Sequence, residues 1–83
     1  MSPVHAALHR ALTATFEVPE SRVVPDASLE SLGLDSLSLA ELALVLQEEL
    51  GFQVEEHETA GDATVGELTL ALDAKRAASA AAR

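Results

Sequence analysis

Mostly apolar residues recur at helical spacing near the start of the chain. The pattern predicts an amphipathic helix that ends near Phe16, with this inward set: Val4, Ala7, Leu8, Ala11, Leu12 and Thr15. Ser2 is a typical N-cap and Pro3 a typical first helical residue. Pro19 prevents the helix from continuing.

Residues 17–34, EVPESRVVPDASLESLGL, form a long connection with two prolines and one glycine. A connection this long in a small domain is usually ordered by its own side chains or functional. We expect Asp26 or Ser28 to begin a short helical turn. The side chains expected to point inward are Val23, Val24, Leu29, Leu32 and Leu34.

The second helix is predicted from Ser36 to Leu50, with Asp35 as N-cap and Gly51 just beyond its end. It carries two apolar stripes. The first is Leu39, Leu42, Ala43, Leu46 and Leu50; the second is Leu37, Ala40, Leu44 and Gln47. A thin core cannot cover both stripes, so we expect the second, edged by Glu41 and Glu48, to stay exposed as a docking face.

The remaining chain predicts a short helix or ordered loop in EEHETAGD and then a last helix. Thr64 and Glu67 have the spacing of a capping box, followed by Val65, Leu68, Ala71 and Leu72. No run alternates over the length of a strand. The predicted fold is all-α: a small four-helix bundle with three main helices, one short helix before the last, and a long ordered loop after the first. Residues 1–76 form one domain, and 77–83 an Ala-rich tail that frays or extends the last helix.

Composition fits one small domain: 83 residues, 48% of them hydrophobic, leave little volume for an enclosed enzyme pocket. Cysteine is absent, which excludes disulfides and thiolate metal sites. No apolar run approaches the roughly 20 residues that cross a bilayer. MSPVHAALHR does not resemble a secretion signal, so a cytoplasmic location is expected.

The charge is strongly acidic, with 14 Asp and Glu against 5 Lys and Arg. No Lys or Arg occurs between Val23 and Ala74, a segment that holds twelve acids. Such a surface repels nucleic acids and anionic membranes and attracts proteins with basic patches. A need to keep a small domain soluble would by itself also explain the excess of acidic residues.

Three histidines are candidates for chemistry. His5 and His9 lie one turn apart on the first helix, but no further metal ligand is near them in sequence, which favours surface residues. His57 lies among acids, and its spacing does not favour a triad with Ser36. The segment around Ser36 also lacks the G-x-S-x-G pattern. We therefore expect neither a metal site nor catalysis.

From the residues alone, the role of Ser36 can be interpreted in two ways. Serine is common where helices open, and it could do no more than that. An exposed hydroxyl at a helix N-terminus is also suited to carrying a phosphodiester, because the helix dipole favours negative charge there. Both readings remain open on physical grounds.

The segment Leu32-Gly33-Leu34-Asp35-Ser36-Leu37 resembles the phosphopantetheine-attachment motif of acyl carrier proteins, of the free-standing bacterial type. The resemblance extends over most of the chain: the first helix, the loop with VVPDASLESLG, the acidic helix SLSLAELALVLQEELGFQV and the TVGEL start of the last helix.

The resemblance implies that a phosphopantetheinyl transferase moves 4′-phosphopantetheine from coenzyme A onto Ser36, beside Asp35. The arm's thiol then holds acyl groups as thioesters. It also implies partners, among them an acyltransferase or ligase and a ketosynthase, that dock through basic patches. A monomer is expected by default, because the sequence gives no basis for a stable oligomer. The residues that match the family's partner face are Leu37, Ala40, Glu41, Leu44, Gln47 and Glu48, together with Asp35; Glu55, Glu56 and Glu58 are candidates for a further contribution.

Two departures bear on the pathway. Ser38 stands where many fatty-acid carriers have an acid, and Ala40 is small where a larger apolar residue is common. Both favour a dedicated carrier in polyketide or specialised fatty-acid-type biosynthesis. The alternatives are an aminoacyl or peptidyl carrier of a nonribosomal pathway, and an unmodified acidic helical adaptor.

Overall fold

A computed structural model describes residues 3–81 of the chain, and Ser2, the predicted N-cap, lies outside them. Three α-helices make up most of the fold: α1 (Pro3–Arg10), α2 (Ser36–Leu50) and α3 (Val65–Ala81). A π-helical turn, Ala11–Thr15, continues α1, so the first helical segment ends at Phe16 as predicted. Short 3-10 helices occupy Glu20–Arg22, Glu30–Leu32 and Glu56–Thr59. No strand forms within residues 3–81, which confirms the all-α prediction.

The core lies between the three helices. Its largest fully buried apolar side chains come in pairs one turn apart on each helix: Leu8 and Leu12, Leu42 and Leu46, Leu68 and Leu72. Leu29, Leu32 and Leu34 from the long loop join them, as predicted. Each pair presents one face of its helix to the others, so burial of these faces stabilises the bundle.

Three residues predicted to face inward are exposed. Thr15 closes the π-helical turn, where the wider backbone spiral shifts the inward face away from it. Val24 is 45% exposed because the neighbouring backbone turns toward α3 at Pro25 and Ala27. Ala71 lies on the outer side of α3, while Leu72 beside it is buried.

The loop between α1 and α2 is held by backbone hydrogen bonds to the segment that precedes α3. Leu29 N–H donates to the oxygen of Ala63 and Glu30 N–H to the oxygen of Gly61, both at 2.9 Å. Ser28 starts the following turn, because its Oγ accepts the N–H of Ser31 at 3.3 Å. These bonds fix where the chain enters α2.

The helix ends are capped largely as the sequence predicts. Glu67 N–H donates to Thr64 Oγ1 at 3.0 Å, and Thr64 N–H donates to the Glu67 carboxylate at 2.9 Å, which completes the capping box of α3. Gly51 closes α2 with a φ of 78°, a left-handed conformation that favours glycine. Among residues 3–81, no helix is long and apolar enough to cross a membrane.

Candidate functional site

Ser36 is the first residue of α2, and its side chain is exposed. The chain reaches it through the 3-10 helix Glu30–Leu32 and then Gly33, whose φ of 90° turns the backbone sharply. Leu32 and Leu34 are buried on either side of that glycine. Two buried anchors and one left-handed turn therefore place the serine at the surface, at the N-terminal end of a 15-residue helix.

Asp35 is the N-cap of α2, as predicted. Its Oδ1 accepts the N–H of Ser38 at 2.8 Å. The hydrogen bond from the Ser38 backbone, with a second from the Ser38 side chain, holds the pKa of the Asp35 carboxyl below its ordinary value. Asp35 is therefore charged at neutral pH, and it fixes the first turn of the helix on which Ser36 stands.

A cleft of about 200 Å³ lies beside the serine. Its walls are α2 on one side and the segment around the 3-10 helix Glu56–Thr59 on the other: Ser36, Leu39, Ala40, Glu56, Thr59 and Ala60. The buried Thr59 hydroxyl lies 3.1 Å from the backbone oxygen of Leu39 and 3.2 Å from that of Glu56, which joins the two walls. The role of Thr59 could not be predicted from the sequence, because the burial of Thr59 depends on its contact with α2.

Two of the four residues in the second stripe of α2, Leu37 and Leu44, are exposed as predicted. Leu37 is 70% and Leu44 61% exposed, and both Glu41 and Glu48 are exposed beside them. Ala40 is half-buried at the cleft. Gln47 is also half-buried, and its Oε1 accepts the N–H of Val54 at 3.1 Å, so it holds the chain after α2 in place.

The acids after α2 do not all face solvent. Glu55 and Glu56 are exposed, but the Glu58 side chain is only 12% exposed and pairs with Lys75. The expectation that Glu58 adds to a partner surface is therefore wrong, since its carboxylate is directed into the fold. The spacing of Glu55 and Glu58, three residues apart, is the sequence signal of the capping box that they form.

The histidines do not assemble a metal centre. The rings of His5 and His9 are stacked with centroids 6.4 Å apart, and His9 Nε2 lies 3.9 Å from a Glu20 carboxylate oxygen. Within residues 3–81, no group of three or more His, Asp or Glu side chains is arranged to hold a metal ion. His57 is exposed on the 3-10 helix Glu56–Thr59.

Comparison with known proteins gives a consistent result. The family described as "phosphopantetheine attachment site" matches residues 6–72. An acyl carrier protein of Saccharopolyspora erythraea is 39% identical over 79 residues, covering 90% of this chain and 83% of that protein. Acyl carrier protein MbtL of Mycobacterium tuberculosis is 37% identical over 75 residues, covering 89% of each chain. The non-reducing polyketide synthase spyA of Aspergillus fumigatus is 42% identical over 65 residues, 78% of this chain but 4% of the synthase. No solved structure matches at the same level of significance.

Proposed function

The chain belongs to the phosphopantetheine-attachment family of acyl carrier proteins, and from this membership we propose that Ser36 is the residue that bears its 4′-phosphopantetheine. The observation that carries the proposal is the exposed Ser36 hydroxyl at the start of α2, inside the matched region. When bound, the group supplies a terminal thiol that holds an acyl cargo as a thioester. The chain's own part is to present and carry that cargo, not to catalyse its conversion.

The surroundings of Ser36 fit a phosphodiester. The N-terminal end of α2 carries the positive end of the helix dipole, which favours a negative charge on the serine oxygen. Asp35 accepts the Ser38 N–H and keeps the first turn formed, so the backbone that carries the Ser36 hydroxyl has a fixed position. The cleft between α2 and Thr59 gives an attached group a surface to lie against.

The partner face in this proposal is the outer side of α2, with Asp35 at its end. Its exposed members are Leu37, Glu41, Leu44 and Glu48, and its half-buried members are Ala40 and Gln47. Two exposed leucines supply apolar contact, and exposed carboxylates supply attraction to basic patches. Charge at an exposed interface raises the association rate more than the affinity. A carrier that visits a phosphopantetheinyl transferase, an acyltransferase or ligase and a ketosynthase in turn needs such weak, fast docking.

The same proposal covers the domain bounds, the short fourth helix and the ordered loop. Residues 1–76 would act as one monomeric carrier domain in the cytoplasm, with 77–83 as its tail. The 3-10 helix Glu56–Thr59 would take the place of the short helix in a four-helix bundle, and the loop after α1 would stay ordered. The hydrogen bonds from Leu29 and Glu30 to the segment before α3 support the ordered loop.

Intact mass before and after incubation with coenzyme A and a broad-specificity phosphopantetheinyl transferase tests the attachment site. The parent chain should gain the mass of one phosphopantetheinyl group, and Ser36→Ala should gain none. Ser38→Ala, two residues further along the same turn, is the matched control and should be modified like the parent. Modification of Ser36→Ala, or none of a folded parent that starts unmodified, would overturn the assignment.

The cargo is proposed to be an acyl group of polyketide or specialised fatty-acid-type biosynthesis. Support comes from the synthase and acyl carrier relatives and from Ser38 and Ala40 on α2, the two departures from the fatty-acid carrier pattern. Loading the modified chain with an acyltransferase and malonyl-coenzyme A, and separately with amino-acid adenylation enzymes, distinguishes the classes. Efficient aminoacylation without malonylation would favour a nonribosomal pathway and contradict this part of the proposal.

A further inference from the structure

A second apolar concavity lies between α1, the long loop and α3, away from the face of α2. We call it the Leu70 hollow; its volume is about 270 Å³, and its lining is His5, Val23, Pro25, Val65, Gly66, Thr69 and Leu70. Leu70 is 73% exposed at its edge, and Val24, between two lining residues, is also exposed. An apolar patch that stays open on a small protein usually marks an interaction site.

The shape of the hollow is fixed by backbone contacts. Val65 N–H donates to the oxygen of Ala27 at 2.9 Å, and Gly66 N–H donates to the oxygen of Pro25 at 3.0 Å. A Cβ at position 66 would lie only 3.2 Å from that Pro25 oxygen, so glycine allows the loop to sit this close to α3. The hollow therefore exists before any partner arrives, which lowers the entropic cost of binding.

The volume favours a single side chain over a small-molecule ligand. Ligand pockets usually enclose about 300–1,000 Å³ and surround most of the ligand. The Leu70 hollow lies near the lower end of that range and is open to solvent, so it would not surround most of a ligand. A pocket of this kind suits one apolar anchor residue of a protein partner, the arrangement common at interface hot spots.

The acidic residues beside the hollow determine which side chains of a partner can lie next to its apolar anchor residue. Asp26 and Glu67 directly follow the lining residues Pro25 and Gly66, and Asp73 lies one turn beyond Leu70. Arg22 directly precedes the lining residue Val23, but its guanidinium donates to the backbone oxygen of Ser31 at 2.6 Å. The chain from Val23 to Ala74, which supplies all of the lining except His5, contains no Lys or Arg. Basic side chains next to the anchor would be attracted, and acidic ones or nucleic-acid phosphates repelled.

We propose that the Leu70 hollow is a second docking surface, for a protein partner that inserts one apolar side chain flanked by lysine or arginine. It is separate from the α2 face, whose exposed leucines are Leu37 and Leu44. One carrier could then be held by one partner through α3 and the loop while α2 remains available to another. The proposal does not depend on Ser36 being modified.

The test uses the full chain, labelled for amide NMR, titrated with the blocked peptide KKFKK. We expect saturable amide shifts at residues 23, 24 and 65–70 with a Kd of about 1 mM, as for a weak single-anchor contact. KKAKK and EEFEE, which lack the anchor or reverse the charge, should bind roughly tenfold more weakly. Equal responses to KKFKK and KKAKK, shifts on α2 alone, or dilution-dependent shifts without peptide would overturn the proposal.

Two matched variants locate the contact. Leu70→Ser should abolish the shifts at the hollow, whereas Leu44→Ser, which alters another exposed leucine on α2, should leave them unchanged. Asp26→Asn should weaken binding while keeping the fold, which circular dichroism verifies for each variant. Repeating the titration on Ser36→Ala should give the same result, so failure here is distinguishable from failure of the attachment proposal.

Discussion

Lys75 on α3 forms an ion pair with Glu58 in the 3-10 helix Glu56–Thr59. The same Lys75 Nζ donates to the backbone oxygen of Gln53 at 2.6 Å, and the Glu58 carboxylate accepts the Glu55 N–H at 2.8 Å. Lys75 is the only lysine in the sequence. Lys75 links α3 to the segment around Glu56–Thr59, which forms the wall of the Ser36 cleft opposite α2. Loss of Lys75 should therefore destabilise that wall.

Lys75→Met should lower the free energy of unfolding by about 1–2 kcal/mol, because it leaves a mostly buried carboxylate without its charged partner. Urea denaturation at pH 7 measures the change. Arg76→Met, the exposed neighbour on α3, removes the same charge without this contact and should stay within about 0.5 kcal/mol of the parent. Equal losses in the two variants would show that net charge, not the pair, is responsible.

The effect of Lys75→Met should depend on pH. Burial of the Glu58 carboxyl works to raise its pKa, but the hydrogen bonds from Lys75 and Glu55, with the charges of Lys75 and His57, hold that pKa below its ordinary value of 4.5. The pair's stabilisation is therefore fully present above pH 4.5 and disappears as the pH falls through the lower folded pKa. Parent and variant should converge in denaturation curves at acid pH; a constant difference would contradict this.

Thr64→Ala should destabilise the domain by about 1 kcal/mol, since it removes the side-chain acceptor of the Glu67 N–H at the start of α3. In a domain of this size that corresponds to a fall in Tm of about 4–8 °C. Thr15→Ala is the control, because Thr15 is exposed at the end of the π-helical turn. A fall in Tm as large for Thr15→Ala would refute the capping explanation.

Asp35→Ala should slow phosphopantetheine transfer by roughly tenfold, because the first turn of α2 loses its cap and Ser36 its fixed position. Asp35→Asn keeps an acceptor for the Ser38 N–H, so its rate should lie nearer to that of the parent. Transfer is followed by intact mass over time at pH 7. An asparagine variant as slow as the alanine variant would mean that the carboxylate charge, not the cap, is what the transferase needs.

The Asp35 cap also predicts a pH dependence of the start of α2. Its hydrogen bonds from Ser38 keep the pKa of the carboxyl below its ordinary value of 3.8. The cap should therefore persist above that pH and be lost as the pH falls through the lower folded pKa. Amide NMR of Ser38 follows this loss, and Asp35→Asn should show no such transition.

Leu37→Ser and Leu44→Ser should each slow transfer and acyl loading by about tenfold with little change in stability, because both leucines are exposed before any partner binds. Leu70→Ser, equally exposed on α3, is the control and should leave the transfer rate unchanged. Measuring the transfer rates at several salt concentrations tests separately whether charge attraction contributes to docking. Slowing by Leu70→Ser of the same size would show that the α2 face is not the surface the transferase uses.

The helices and their ends could be predicted because their signals are local. The N-cap Asp35, the closing Gly51 and the Thr64–Glu67 box act within one turn of the chain, so neighbouring residues determine them. The outward direction of Leu37 and Leu44 followed from helical periodicity for the same reason. Val24 and Thr15 were misplaced because an irregular loop and a π-helical turn have no such periodicity.

The sequence by itself determined the all-α class, the extent of α2 and the position of Ser36 at its start. Only the tertiary structure decided that Thr59 closes the cleft, that Glu58 turns inward to Lys75, and that Pro25 meets Gly66 at the Leu70 hollow. These contacts join residues 17 to 41 positions apart, so no local pattern encodes them. They depend on how the helices pack, and packing is fixed by the burial of all three apolar faces together.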